Sequence, residues 1–191
     1  MMKNSKIKKY VILCVGYTHT GKTTFAKKII KKHQPMTLLD SDEVAIFLRK
    51  KYPLIVNSQY NTSRYAFNDS NLKLTVFKQI YRFCLNTGLN VILSNGNLAK
   101  NMRSFVIRNA KKRGYTVIIV YFNLPMETIT QRLKKTKKST AVFIQSKTWT
   151  ESFTRQKEYA ELPPSKKDAI YFEIKNNRDY QIVFKKVISL L

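Results

Sequence analysis

Acidic residues are scarce in this chain. Eleven Asp and Glu stand against 36 Lys and Arg in 191 residues, a formal net charge of +25, with a pI near 10.1. Such a chain repels itself and attracts polyanions. An AT-rich coding sequence would account for the abundance of Lys, Asn and Ile, but the same bias would enrich Glu, and there are six. The shortage of acids is therefore consistent with a polyanionic partner. Cysteine is nearly absent: Cys14 and Cys84 each sit inside an apolar run, which excludes a disulfide framework or a metal-binding spacing and predicts reduced core residues in an intracellular protein. No stretch approaches the roughly 20 apolar residues of a membrane span. The N-terminal "MMKNSKIKKYVILCVG" imitates a signal peptide, but its apolar run is short and ends in a glycine loop without a small-residue cleavage site. A cytoplasmic location is expected. Internal repeats, Gly/Ser linkers and low-complexity tracts are also missing, so the sequence predicts a single domain over 1–191.

What the chain does have is a core's worth of apolar residues, 43%, with 11 each of Tyr and Phe. Short apolar runs alternate with stretches of helical periodicity, the signature of a parallel sheet covered by helices. Strands are predicted at 10–15, 36–39, 90–94, 115–122 and 169–174. A helix from about Lys22 carries Phe25, Ala26, Ile29 and Ile30 at i, i+4 spacing. Leu72, Val76, Ile80 and Phe83 mark a second helix. Met102, Phe105 and Val106 mark a third, stopped by Gly114, and a last one runs from near Asp179 with Ile182, Val183, Val187, Ile188 and Leu190 on or near its buried side. The expected fold is α/β and three-layered, a five-stranded, mainly parallel sheet flanked by helices.

The first strand leads into Gly16-Tyr17-Thr18-His19-Thr20-Gly21-Lys22-Thr23-Thr24, which fits the G-x-x-x-x-G-K-[ST] pattern of a phosphate-binding P-loop. Glycines let the chain curl so that backbone N–H groups converge, and the helix start adds its positive end. Lys22 is placed to reach the outer phosphates of ATP or another nucleoside triphosphate, and the Thr23 hydroxyl to hold Mg²⁺. His19 occupies a variable position of the loop, where its backbone is expected to matter more than its ring. His33 suits a helix C-terminus.

After the second strand comes "LLDSDEVAIFLRK", with Asp40 and Asp42 at the strand's C-terminal end, where a parallel sheet opens its crevice. A carboxylate there can accept the proton of an attacking hydroxyl or support a metal, while the other caps the following helix. The stretch 132–140, "RLKKTKKST", is basic and poor in apolar residues, either a solvated helix end or part of a lid over about 132–148. Arg132, Lys134, Lys135, Lys137 and Lys138 are its candidate phosphate contacts. Trp149, Phe153 and Tyr159 follow at near-helical spacing and suit a core role or base stacking.

Taken together, "GYTHTGKTT", "LLDSDEV", "TGLNVILSNGNLAKNMR" and "GYTVIIVYFNLPMETITQRL" resemble the AAA-type P-loop phosphotransferases of the polynucleotide kinase and zeta-toxin-like group, similar in layout to chloramphenicol phosphotransferase and shikimate kinase. The resemblance implies that Asp42 acts as base toward the acceptor hydroxyl, that Asn97 and Arg103 contact substrate, and that Arg132 and Lys135 belong to a phosphate-clamping lid. Two positions depart from the group's pattern. Its arginine three residues after the aspartate falls on Ala45, leaving Arg49 one turn on as the replacement. Its acid at the end of the third strand is replaced by Ser94 and Asn95, so metal support is left to Asp40 or Asp42.

Three functions stay open on the sequence. One is an ATP- and Mg²⁺-dependent kinase acting on a hydroxyl of a nucleic acid or nucleotide, foremost a polynucleotide 5′-OH. Another is the same chemistry on a nucleotide-sugar, antibiotic or other metabolite. The last is a nucleotide-dependent RNA-binding protein without transferase activity. Protein partners are not indicated, and no membrane partner is expected.

Overall fold

A computed structural model describes residues 8–33, 35–52, 72–136, 148–167 and 169–191. Its elements follow in the order β1 (Tyr10–Val15), α1 (Lys22–Lys32), β2 (Met36–Leu39), α2 (Ser41–Lys51), α3 (Leu72–Asn86), β3 (Asn90–Leu93), α4 (Lys100–Lys111), β4 (Thr116–Phe122), α5 (Met126–Lys135), α6 (Trp149–Tyr159), β5 (Ile170–Ile174) and α7 (Asn177–Leu190). The five strands form one sheet, ordered β2-β3-β1-β4-β5. Every pairing is parallel, with Leu13 beside Leu93 and Ile119. The expected strands are all present, with ends moved by no more than one residue, and α7 begins two residues before Asp179.

Alternation along the strands divides the core. Tyr10, Ile12 and Cys14 point to the face covered by α1, α5, α6 and α7, through Phe25, Ile129, Phe153 and Val183. Val11, Leu13 and Val15 point to the opposite face, against Phe77 and Tyr81 of α3 and Met102 and Val106 of α4. Both cysteines are buried and free, and burial pushes the Cys14 thiol up to about 12. Among the described residues no helix is long and apolar enough to cross a membrane.

Two helices turn differently from the sequence pattern. On α3 the buried residues are Leu74, Phe77, Tyr81, Cys84 and Leu85, whereas Ile80 is 37% and Phe83 65% exposed. The helix carries two apolar stripes, and the one bearing Tyr81 wins because that hydroxyl reaches the Val106 carbonyl at 2.9 Å while the ring fills the core. On α7, Ile182 faces outward and Val183 and Val187 inward.

The chain leaves β1, builds β2 and β3 on one side, then crosses to β4 on the other. The loop after β1 therefore lies at the point where strand order reverses, the place where open α/β sheets gather their ligands.

Candidate active site

The loop after β1 is shaped by positive backbone angles and by contacts to the neighbouring strands. Gly16 has φ 148°, and a Cβ there would stand 2.8 Å from the Phe122 carbonyl oxygen, so a side chain is excluded. Its N–H donates to the Gly96 carbonyl at 2.9 Å. His19 and Gly21 lie in the left-handed region at φ 60° and 98°, curling the backbone into a nest of N–H groups. Gly21 caps α1 with no side-chain hydrogen bond, leaving the first-turn N–H groups for an anion.

Lys22 is buried and folds back into the loop, donating from Nζ to the Tyr17 carbonyl at 2.5 Å and to Thr20 Oγ1 at 3.3 Å. Burial lowers its pKa to about 8, against the opposing pull of Cys14, Asp40 and Asp42. Thr23 and Thr24 open the helix on its exposed side.

The variable arm of the loop is gripped by α6. Trp149 meets the His19 ring edge-on at 4.7 Å, and Phe153 meets Tyr17 at 5.2 Å. Gln156 Oε1 accepts the Thr18 N–H at 2.8 Å. His19 is thus more than a backbone position: its Nδ1 pairs with Thr18 Oγ1 at 2.9 Å. Burial, then the nearby Lys22 and Arg132 charges, hold it neutral-leaning, below its ordinary pKa. Of the three aromatics on α6, Trp149 and Phe153 take core positions, while Tyr159 is 37% exposed.

The two carboxylates divide into a fixed one and an open one. Asp40 caps α2, with Oδ1 accepting the Asp42 N–H at 2.8 Å. Asn95 Nδ2 donates to the same oxygen at 2.8 Å, and Ser94 Oγ to Oδ2 at 2.7 Å. Ser94 and Asn95, standing where the resembling kinases carry an acid, hold Asp40 in place. Asp42, in the first turn of α2, keeps 52% of its side chain open and lies 3.6 Å from Lys73 Nζ. Partial desolvation raises its pKa; Lys73 opposes the rise and the like charge of Asp40 adds to it.

Two pockets belong to this region, one over the loop and one beside Asp42. The larger, about 580 Å³, lies over Thr20, Gly21 and Thr24 and is bounded by Lys28, Arg132, Arg178 and Tyr180. The smaller, about 150 Å³, contains Asp42 and Lys73, with Asn95, Asn97, Gln156 and Tyr159 around it and Phe77 and Met102 on its apolar wall.

Residues 11–163 match the family model of the AAA domain, AAA_33. The chain belongs to this AAA domain family. No curated protein matches it in sequence. Among solved structures it is similar to a putative kinase from Chloroflexus aurantiacus J-10-fl, at 13% identity and TM-score 0.67 over 96% of this chain and 97% of that one. The APS kinase CysC of Mycobacterium tuberculosis, solved with AMPPNP and APS, has 16% identity and TM-score 0.59 over 96% and 97%. Kti12 of Chaetomium thermophilum, solved with ADP-AlF3, has 16% identity and TM-score 0.57 over 94% and 97%. The fold is that of the P-loop kinases.

Within this AAA domain, the residues singled out by sequence fall in different places. Arg103 is turned into the protein. It is 5% exposed, and its guanidinium donates to the Asn97 carbonyl at 3.0 Å and to those of Leu98 and Glu161 at 2.5 Å. It ties α4 to the loop ahead of it and to the segment after α6. Asn97, at φ 47°, lines the small pocket, yet its Nδ2 donates to the Cys14 and Asn95 carbonyls at 2.7 and 3.1 Å, locking the β3–α4 loop to the end of β1. Ala45 is buried on the inner side of α2. The side chain of Arg49 and residues 137–147, with Lys137 and Lys138, lie outside the described residues. Arg132 reaches the loop, donating to the His19 carbonyl at 3.0 Å. Lys135 ends α5 exposed to solvent.

Gln156 and Lys73 were not legible as site residues, and Tyr159 was legible only as a core or base-stacking residue. Gln156 carried no motif, and its position depends on how α6 docks. Lys73 is one lysine among many until α3 brings it to Asp42. The Ser94-Asn95 pair offered a signal, since two polar residues end an apolar strand.

Proposed function

We propose that this AAA domain is a phosphotransferase that moves the γ-phosphoryl group of ATP, or a related triphosphate, to a hydroxyl held beside Asp42. The observation that carries this reading is a second pocket besides the one over the P-loop, lined by the more open carboxylate of the site and linked to the loop through Gln156. A hydrolase needs one pocket and water; a second pocket beside a carboxylate suits a second substrate.

In this reading the nest and the α1 N-terminus bind the phosphates, and Lys22 swings from the Tyr17 carbonyl to the transferring group. Asp42 accepts the hydroxyl proton as the acceptor oxygen bonds to phosphorus and the bond to the leaving diphosphate breaks. Arg132, beside His19, neutralises charge on the donor side. The Thr23 hydroxyl and the Asp40 carboxylate are hard oxygen donors that suit Mg²⁺. No group of three or more His, Cys, Asp or Glu that could hold a metal occurs among the described residues. Mg²⁺ would therefore draw most of its shell from phosphate and water, and it would supply charge neutralisation across the phosphates.

For the acceptor we favour a hydroxyl at the end of a nucleic acid, because the chain's +25 charge suits a polyanion. The size of the Asp42 pocket, about 150 Å³, favours a second reading, a small alcohol such as a nucleoside or sugar. Transfer from labelled ATP to 5′-OH RNA, 5′-OH DNA, nucleosides, sugars and small alcohols separates them. Transfer to oligonucleotides above nucleosides is expected; labelling of small acceptors alone would move the assignment to the second reading, and labelling of none would end the kinase reading.

A further inference from the structure

From Ser70 to Met126 the chain has no Asp or Glu and nine Lys or Arg. This stretch includes α3, β3, α4 and β4, so the outer face formed by α3 and α4 carries no acid of its own. Among the described residues, Asp42 meets it at Lys73 and the Glu161 carboxylate at the Lys100 N–H, 2.6 Å, both at its pocket end. Farther along, Lys78 Nζ and Arg82 Cζ lie 5.3 and 5.2 Å from the centre of the Phe105 ring, an α3–α4 contact that holds two cations over one aromatic. Arg108 and Lys112 follow Phe105 by three and seven residues, on the same side of α4 or just beyond its end, and both are exposed. Phe83 follows Arg82 in sequence, about 100° farther round α3 at 3.6 residues per turn, and is 65% exposed.

A bare phenylalanine at the border of a basic face leaves apolar area in water, but it is what a nucleobase stacks on, while the cations follow the phosphates. Position supplies the continuity. The first turns of α3 give Lys73, Leu74 and Phe77 to the Asp42 pocket, and α4 gives Met102. Both helices therefore run outward from that pocket, and Phe83 lies about 15 Å along α3 from Lys73 at 1.5 Å per residue. The face of α1 and α7 is also basic, but it borders the other pocket through Lys28 and Arg178 and carries Asp179.

We propose that the α3–α4 face, marked by Lys78, Arg82, Phe83, Phe105, Arg108 and Lys112, is a track for single-stranded nucleic acid whose terminal nucleotide enters the Asp42 pocket. The proposal rests on the kinase reading above for what happens at the end of the strand, and on the surface alone for binding. Stacking on Phe83 requires unpaired bases, so the track selects single strands over duplex.

The test is fluorescence anisotropy of a labelled 12-nucleotide RNA and the matching DNA, without ATP, from 50 to 200 mM salt. Replacing Arg82, Arg108 and Lys112 with alanine should weaken binding at least tenfold and lower the log–log salt slope by about 2, since each phosphate contact to a single strand contributes about 0.7. Phe83→Ala, at an exposed position, should weaken binding about fivefold or more with the slope unchanged. A control triple, Lys27→Ala, Lys31→Ala and Lys185→Ala, removes the same charge from the α1–α7 face and should change affinity less than threefold. Fluorescent ATP binding, unaltered in all variants, confirms the fold. Equal losses in both triples would reduce the effect to net charge and overturn the proposal, as would an unaffected Phe83→Ala or equal affinity for a 12-base-pair duplex. Mapped binding with no transfer to any acceptor would retire the kinase reading alone; transfer to nucleosides with unmapped binding would retire the track alone.

Discussion

The loop that would hold the triphosphate is nine consecutive residues, 16–24, while the pocket beside Asp42 is assembled from α2, α3, the β3–α4 loop, α4 and α6. The donor side is shaped by backbone: positive φ at Gly16, His19 and Gly21, and a free helix N-terminus. The acceptor side is shaped by side chains, with Asp40 fixed by Ser94 and Asn95 and Asp42 left open beside Lys73. A backbone cradle recognises what every nucleoside triphosphate shares. A wall of side chains from five segments can change one residue at a time, so in the proposed reading selectivity among acceptors would belong to the second pocket. The sharpest way to break this division is to find a variant that crosses it.

Asp42→Asn should cause the largest loss. It keeps the shape and removes the proton acceptor, so kcat should fall about 10²–10⁴-fold while the affinity for ATP stays within a factor of two or so. Single-turnover transfer and equilibrium binding of a fluorescent ATP read the two quantities separately. A variant that lost both equally would show that Asp42 shapes the donor side, and the division would fail.

Lys22→Met is the counterpart on the donor side, with about a 10²–10³-fold loss of transfer and a marked loss of ATP affinity. Its pH behaviour is more telling. The folded-state pKa of Lys22, about 8, lies below the ordinary 10.5, so between those values the unfolded chain holds more protons and stability rises with pH. Below about pH 8 the buried charge costs its full amount, about 3 kcal/mol at 1.36 per pKa unit. Two hydrogen bonds, each worth about 1 kcal/mol, offset part of it. The ligand-free methionine variant should therefore be the more stable protein at pH 7, by about 1 kcal/mol, with the advantage vanishing toward pH 10.5, as denaturant titration at both pH values would measure. In kcat/KM for ATP, the wild type should lose activity as pH rises through about 8. Its acid limb belongs to Asp42, whose pKa desolvation raises from its ordinary value.

The same contrast explains which parts were legible in the sequence. Strands of β-branched residues bounded by turns give themselves away locally, and so does a loop whose function needs glycines at fixed places. The Asp40–Asp42 pair was legible because a parallel sheet gathers its C-terminal strand ends in one crevice. The inward turn of Arg103 was not legible because a guanidinium satisfied by three carbonyls and one reaching for a substrate look identical in sequence; only the packing of the segment around Glu161 against the β3–α4 loop decides. The stripe on α3 was misread for a related reason: two apolar faces were available, and the choice depended on Tyr81 finding the Val106 carbonyl in another helix.

Gln156 is the residue that touches both sides, and it should give the smallest and most discriminating effect. Its Oε1 accepts the Thr18 N–H of the loop, and its side chain lines the acceptor pocket. Gln156→Ala releases a partly buried backbone N–H, a loss of about 0.5–1.5 kcal/mol, so KM for ATP should rise about two- to tenfold and KM for the acceptor with it. Gln156→Glu keeps an acceptor oxygen for Thr18 but brings a negative charge toward the phosphates. It should therefore preserve thermal stability and acceptor KM while still raising KM for ATP. If both variants lowered the melting temperature and left both KM values alone, Gln156 would be a packing residue of α6, and the donor and acceptor sides would have no side chain in common at that point.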